Sequence, residues 1–205
     1  MVAGSMALGR WWPVSMWKYE KKLQFPVNIK KKDIRLAKAL ATQYGGPDGE
    51  LAAGLRYLNQ RYTMPDEKGK ALLTDIGSEE LGHAEMVATM VYQLLRDATI
   101  AELKAAGLDG HYSEHGRAPF PLNANGVQFS AKYFASKGDP IVDLYEDLAA
   151  EEKARITYEY LMDLTDDPEV LAPLAFLHHR EIVHFDRFKN LLDEYLSQGI
   201  QKRIN

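Results

Sequence analysis

The chain has no cysteine among its 205 residues. That excludes disulfide staples, thiolate zinc sites, iron–sulfur clusters and a catalytic thiol, and it is compatible with an intracellular setting. Long apolar runs are also missing: none approaches the roughly 18 residues that span a bilayer. The opening "MVAGSMALGRWWPVSMWKYEKK" has no signal-type apolar region, because Gly9, Arg10 and Pro13 interrupt it. A soluble, unexported, cytoplasmic protein is therefore expected, with no membrane partner. A sustained basic stripe is absent too. The formal net charge is -4, and the one lysine run, Lys30 to Lys32, reads as a solvated approach to a helix, so no nucleic-acid partner is expected.

What the chain does have is 46% hydrophobic residues arranged with helical periodicity. Residues 1–32 read as an irregular segment, with Trp11, Trp12 and Trp17 grouped around Pro13. Residues 33–200 read as one domain. Helix one starts at Asp33, is bent or broken at Gly45-Gly46-Pro47, and resumes to Tyr62, with Pro47 suited to the first turn of the renewed segment. Helix two runs from about Asp66 to Asp97. A long crossover, 98–138, holds one short helix in "TIAELKAAG" and a weakly alternating "GVQFSAKYF". Helix three opens at Asp139-Pro140, and "DDP" at 166–168 opens helix four. Four long helices in two hairpins with one crossover describe an all-α, ferritin-like four-helix bundle.

The seams of these helices carry residues that a core should not tolerate. Helix two has Leu73, Ile76, Val87, Met90 and Leu94, and steps of three and four place Glu80 and His83 on the same stripe. Helix four has Leu174, Leu177, Phe188, Leu191 and Tyr195, with Glu181 and His184 between them. Both pairs are Glu-x-x-His, one turn apart on one face. Thirty residues before each motif stands another glutamate, Glu50 on helix one and Glu151 on helix three. One Glu-x-x-His is expected about half the time by chance in such a chain, so a single copy says little. Two copies on core stripes, with equal upstream spacing, say a great deal.

Four carboxylates facing one interior would each cost several kcal/mol and would repel one another. Two divalent cations balance the four charges, and two neutral imidazoles complete the donor set, as in di-metal carboxylate bundles. Hard oxygen donors without sulfur favour manganese or iron. Spacing alone proposes six ligands: Glu50, Glu80, His83, Glu151, Glu181 and His184. Arg155 and Tyr158 continue the helix-three stripe and are candidates for holding carboxylates in place. Glu79 and Glu152 are expected to point elsewhere, rotated about 100° from their neighbours. His111 and His115 are expected in solvent, in the crossover.

Several stretches resemble the manganese catalase family: "MWKYEKKLQFPV", "QYGGPDGELAAGLRYLNQRY", "TDIGSEELGHAEMVATMVYQLL", "KGDPIVDLYEDLAAEEKARITYEYLMDLTDDPEV" and "REIVHFDRF". They are most similar to its short spore-coat members from endospore-forming bacteria. The resemblance covers about residue 16 onward. It implies disproportionation of hydrogen peroxide at two manganese ions held by Glu50, Glu80, His83, Glu151 and His184. Glu80 matches a carboxylate bridging both metals, and Glu181 a proton-handling group beside them. It further implies a homo-oligomer (a hexamer) and a place in the spore coat among other coat proteins. One departure is Ala150, where some members have an arginine. Two rival readings share the motif residues: a di-iron ferritin-like oxidase or storage protein, and a mainly structural spore-coat protein with a vestigial metal site.

Overall fold

The computed structural model describes Glu20 and residues 22–200; the tryptophan cluster at 11, 12 and 17 lies outside the described residues. Among the described residues seven α-helices follow one another: α1 Ile34–Gly45, α2 Glu50–Gln60, α3 Glu67–Leu95, α4 Ile100–Ala105, α5 Asp109–His115, α6 Pro140–Met162 and α7 Pro168–Ser197. The bundle consists of the broken first helix (α1 and α2), α3, α6 and α7. α2 packs along α3 and α6 along α7.

Local chemistry sets the ends of these helices. Asp33, Asp66, Asp139 and Asp167 each cap a helix by accepting from a backbone N–H in its first turn, an interaction worth about 1 kcal/mol. Pro140 and Pro168 follow their caps as the first helical residues, where no N–H is needed. Pro47 behaves otherwise than expected. It lies before α2, in a turn closed by Gly49 N donating to Gly46 O at 3.3 Å, so Glu50 becomes the first residue of α2 with Gly49 as its cap. Proline's fixed φ suits the second position of such a turn as well as it suits a helix start.

Two apolar clusters fill the bundle. One contains Leu36, Leu40, Met86, Met90, Leu174 and Leu177; the other contains Leu73, Ile76, Ile141, Leu144, Phe188 and Tyr195. Along α3 and along α7 the Glu-x-x-His residues fall between them. The bundle is therefore apolar, polar, apolar from end to end. Each fully buried Leu, Met or Phe contributes roughly 1.5–3 kcal/mol, so the clusters tolerate a polar middle only if that middle is itself compensated.

The crossover lies on the bundle, fastened at several points. Lys38 of α1 donates to Ala106 O at 3.1 Å, Ala124 N donates to Thr42 Oγ1 of α1 at 3.1 Å, and the buried Arg56 of α2 donates to Phe134 O and Tyr133 O at 2.9 and 2.7 Å. At Gly45 the approach is too close for a side chain: a Cβ there would stand 2.2 Å from Leu122 N. The weak alternation near residues 126–134 makes no strand, only a single Leu122–Gln128 bridge and a 3-10 turn at Ala131–Phe134. His115 is not in solvent as expected; it stacks on Phe120 with ring centroids 3.8 Å apart. Among the described residues no helix is long and apolar enough to cross a membrane.

Candidate metal centre

Glu50, Glu80, His83, Glu151, Glu181 and His184 meet in the polar middle layer, none more than 2% exposed. Glu50 arrives on the first turn of α2, Glu80 and His83 on α3, Glu151 on α6, and Glu181 and His184 on α7. Their donor atoms form two quartets within 4.8 Å: Glu50, Glu80, His83 and Glu181, and Glu80, Glu151, Glu181 and His184. Glu80 and Glu181 belong to both.

Glu80 stands between the two imidazoles. Its Oε2 lies 2.7 Å from His83 Nδ1, and its Oε1 lies 2.7 Å from His184 Nδ1. Each histidine also faces one terminal carboxylate, His83 Nδ1 being 3.6 Å from Glu50 Oε2 and His184 Nδ1 3.7 Å from Glu151 Oε2. The rings lie nearly parallel, 5.6 Å apart. Both histidines thus turn Nδ1 inward and Nε2 outward.

Two tyrosines hold the terminal carboxylates crosswise. Tyr57 of α2 donates to Glu151 Oε1 of α6 at 2.5 Å, and Tyr158 of α6 donates to Glu50 Oε1 of α2. The stripe and motif spacing alone do not single out Tyr57. It stands seven residues after Glu50, as Tyr158 stands seven after Glu151, so the internal repeat could have found it. Arg155, a candidate from the stripe, does not touch these carboxylates. It pairs with Glu152 at 2.9 Å and Glu159 at 2.5 Å on its own helix. The inner stripe takes a three-residue step from Glu151 to the buried Ala154, which leaves position 155 on the flank.

Glu79 overturns a second expectation. Instead of facing away, it lies behind both histidines, with Oε2 3.1 Å from His184 Nε2 and Oε1 3.5 Å from His83 Nε2. Arg180 grips the same carboxylate at 2.7 and 3.2 Å. Rotation along α3 does carry Glu79 away from Glu80. The rings, however, reach across with their outer nitrogens toward that neighbouring face.

The electrostatics are those of a crowded anionic layer. Burial, and then the nearby Glu80, push the Glu50 carboxyl up to about 8. Burial, followed by Glu50 and Glu80, also raises Glu181 well above the carboxylate range. Burial would raise Glu80 likewise, but the His184 and His83 imidazoles outweigh it and hold Glu80 low. Burial opposes a charged His184, yet Glu80, Glu151 and Glu79 push it up to about 12. Every shift expresses one demand, positive charge placed among the carboxylates.

The donor set fits two divalent cations. Glu80 Oε1, Glu151 Oε2, Glu181 Oε1 and His184 Nδ1 are buried with no well-oriented protein hydrogen-bond partner. Orphaned buried groups are rare and costly, and here they converge. Oxygen and imidazole donors without sulfur suit manganese or iron.

A buried layer of this kind, carried on four helices, has the donor pattern of di-metal carboxylate bundles. Residues 16–202 match the family described as "Manganese containing catalase", and the chain belongs to that family. It is 57% identical over 189 residues to Protein CotJC of Bacillus subtilis, covering 92% of this chain and all of that one. To the probable manganese catalase of Clostridium acetobutylicum it is 33% identical, covering 91% of this chain and 84% of the relative. Among solved structures it is similar to KatB, a manganese catalase from Anabaena, with a TM-score of 0.82 and 31% identity. That alignment covers 93% of this chain and 86% of the other.

Proposed function

We propose that this protein is a dimanganese catalase, converting two molecules of hydrogen peroxide into two of water and one of oxygen. The observation that carries the reading is the pair of donor quartets sharing Glu80 and Glu181, in a chain of the manganese-containing catalase family. Glu50 and His83 would hold one manganese, Glu151 and His184 the other, with Glu80 shared by both. When bound, the manganese pair supplies a two-electron couple that reduces one peroxide to water and oxidises the next to oxygen, so no external donor is consumed.

The protein's part is positioning, charge balance and proton handling. Tyr57 and Tyr158 fix the lone pairs of Glu151 and Glu50, leaving the opposite oxygens free to face cations. Reduction of peroxide takes up two protons and oxidation releases two, so a group that keeps a proton inside the layer between the halves serves both. Glu181 is our choice for that group. It belongs to both quartets, and its Oε1 has no protein partner. The buried walls keep bulk water from competing for these groups.

The spore-coat association suggested by the sequence is also proposed, as is a homo-oligomer. The apolar residues of helix one carry no argument for the oligomer, because Leu36, Ala37 and Leu40 share one core with Met86, Val87 and Met90 within the chain. Metal analysis of protein isolated without added metal tests the cofactor. About two manganese ions per chain are expected; two irons, with oxygen consumed by the ferrous form, would replace this reading with the di-iron one.

A further inference from the structure

The segment leading into α1 is fastened along the groove between α3 and α7. Gln24 Nε2 donates to Glu79 Oε1 at 2.7 Å. Phe25 stacks on Phe176 of α7 with centroids 5.0 Å apart, and Phe176 in turn meets His83 edge to face at 6.4 Å. Gln93 of α3 binds the next residues from both sides, accepting from Ile29 N at 2.6 Å and donating to Val27 O at 3.1 Å. Lys30 N then donates to Glu169 Oε2 at the start of α7, 2.9 Å away. Ile29, in the middle of this strap, is itself fully buried. The strap therefore lies on the outer side of the imidazoles, on the side where Glu79 stands.

Glu79 is saturated there. Oε1 receives Gln24 and Arg180 Nε and faces His83 Nε2; Oε2 receives Arg180 Nη2 and faces His184 Nε2. An imidazole that offers Nδ1 to a cation carries its proton on Nε2. A carboxylate accepting that proton fixes the tautomer and the plane of the ring. Here a single carboxylate accepts from His184 Nε2 at 3.1 Å and faces His83 Nε2 at 3.5 Å, near enough to attract that N–H without a formed hydrogen bond.

We propose that Glu79 is a positioning residue shared by both histidines, held by Arg180 and by Gln24, so that the strap of residues 22–33 governs how long the centre retains its metals. This rests on the dimanganese reading above. A glutamine at 79 has one accepting oxygen for two N–H donors and turns its NH2 toward the other ring. An alanine at 24 leaves the carboxylate and its charge in place and removes one of the groups that aim it. Loosening at Glu79 reaches both metals, because each has one of the two rings.

The test is manganese release. Wild type, E79Q and Q24A are loaded with Mn(II), freed of excess, and placed in excess chelator while protein-bound manganese is followed with time. The melting temperature of each metal-free protein is measured beside it. E79Q should lose manganese roughly 10- to 100-fold faster than wild type, and Q24A should fall between the two. E79D, which keeps the charge but falls short of the rings, takes the place of E79Q if the latter does not fold, with the same expectation. A lower metal-free melting temperature with wild-type release would make Glu79 a plain structural tie and overturn the proposal. Fast E79Q with wild-type release in Q24A would remove the strap from it. A wild type that binds no manganese overturns the dimanganese reading, whereas equal release in wild type and E79Q overturns this inference alone.

Discussion

Replacing Glu80 and Glu181 in turn by glutamine separates their roles, although both belong to both donor quartets. Glu80 lies 2.7 Å from each inward imidazole nitrogen, through a different oxygen to each. Its removal takes one negative charge from the set of four and the shared anionic donor from both cation positions. Removing one partner of a buried charge assembly costs about 3–5 kcal/mol. At ~1.4 kcal/mol per tenfold, that is roughly a 150- to 4,000-fold loss of metal affinity. E80Q should therefore emerge from dialysis with its metal lost or scrambled. E181Q keeps the shape of the side chain but cannot release and regain a proton. It should hold both manganese ions and lose roughly 100- to 10,000-fold in rate, the span of general acid–base catalysis. E151Q should weaken chiefly one metal, because Glu151 belongs to only one quartet. Manganese content by elemental analysis, set beside oxygen evolution for each variant, reads these out. If E181Q loses metal as completely as E80Q, the six-ligand reading of the spacing is right and Glu181 is a ligand.

Tyr57→Phe and Tyr158→Phe should each weaken manganese binding by roughly 10- to 100-fold, since each removes a hydrogen bond to a carboxylate worth about 1.5–3 kcal/mol, with the loss falling on a different metal in each variant; competitive chelation measures it, and unchanged binding in both would contradict the crosswise arrangement. Gly45→Ala should destabilise the fold by about 1–3 kcal/mol, because the new Cβ would stand 2.2 Å from Leu122 N; urea unfolding reads it, and wild-type stability would show that the crossover yields without cost. Light scattering at micromolar concentration should show a symmetric oligomer, and a clean monomer would contradict it.

The inward residues were legible wherever periodicity alone decides position. Positions 80, 83, 181 and 184 follow from three- and four-residue steps between aliphatic residues that the structure does bury. Glu50 and Glu151 were legible through their equal spacing to those motifs. Side-chain reach was not legible. Arg155 and Ala154 both continue a stripe from Glu151, and only packing chose the alanine. Helix rotation turns the Cα–Cβ bond of Glu79 from the centre, but rotation says nothing of rings that extend outward to meet it. The break at Pro47 was legible; its use in a turn instead of a helix start depended on Gly49 N closing a hydrogen bond onto Gly46 O.

The central claim is tested most directly by giving hydrogen peroxide to the manganese-loaded protein with no reducing substrate present and measuring oxygen evolved, peroxide consumed and metal bound in the same sample. The account predicts sustained turnover, one oxygen for every two peroxides, in proportion to manganese content and abolished in E80Q. Two manganese ions bound at the layer with no oxygen evolved above that of free Mn(II) would contradict it.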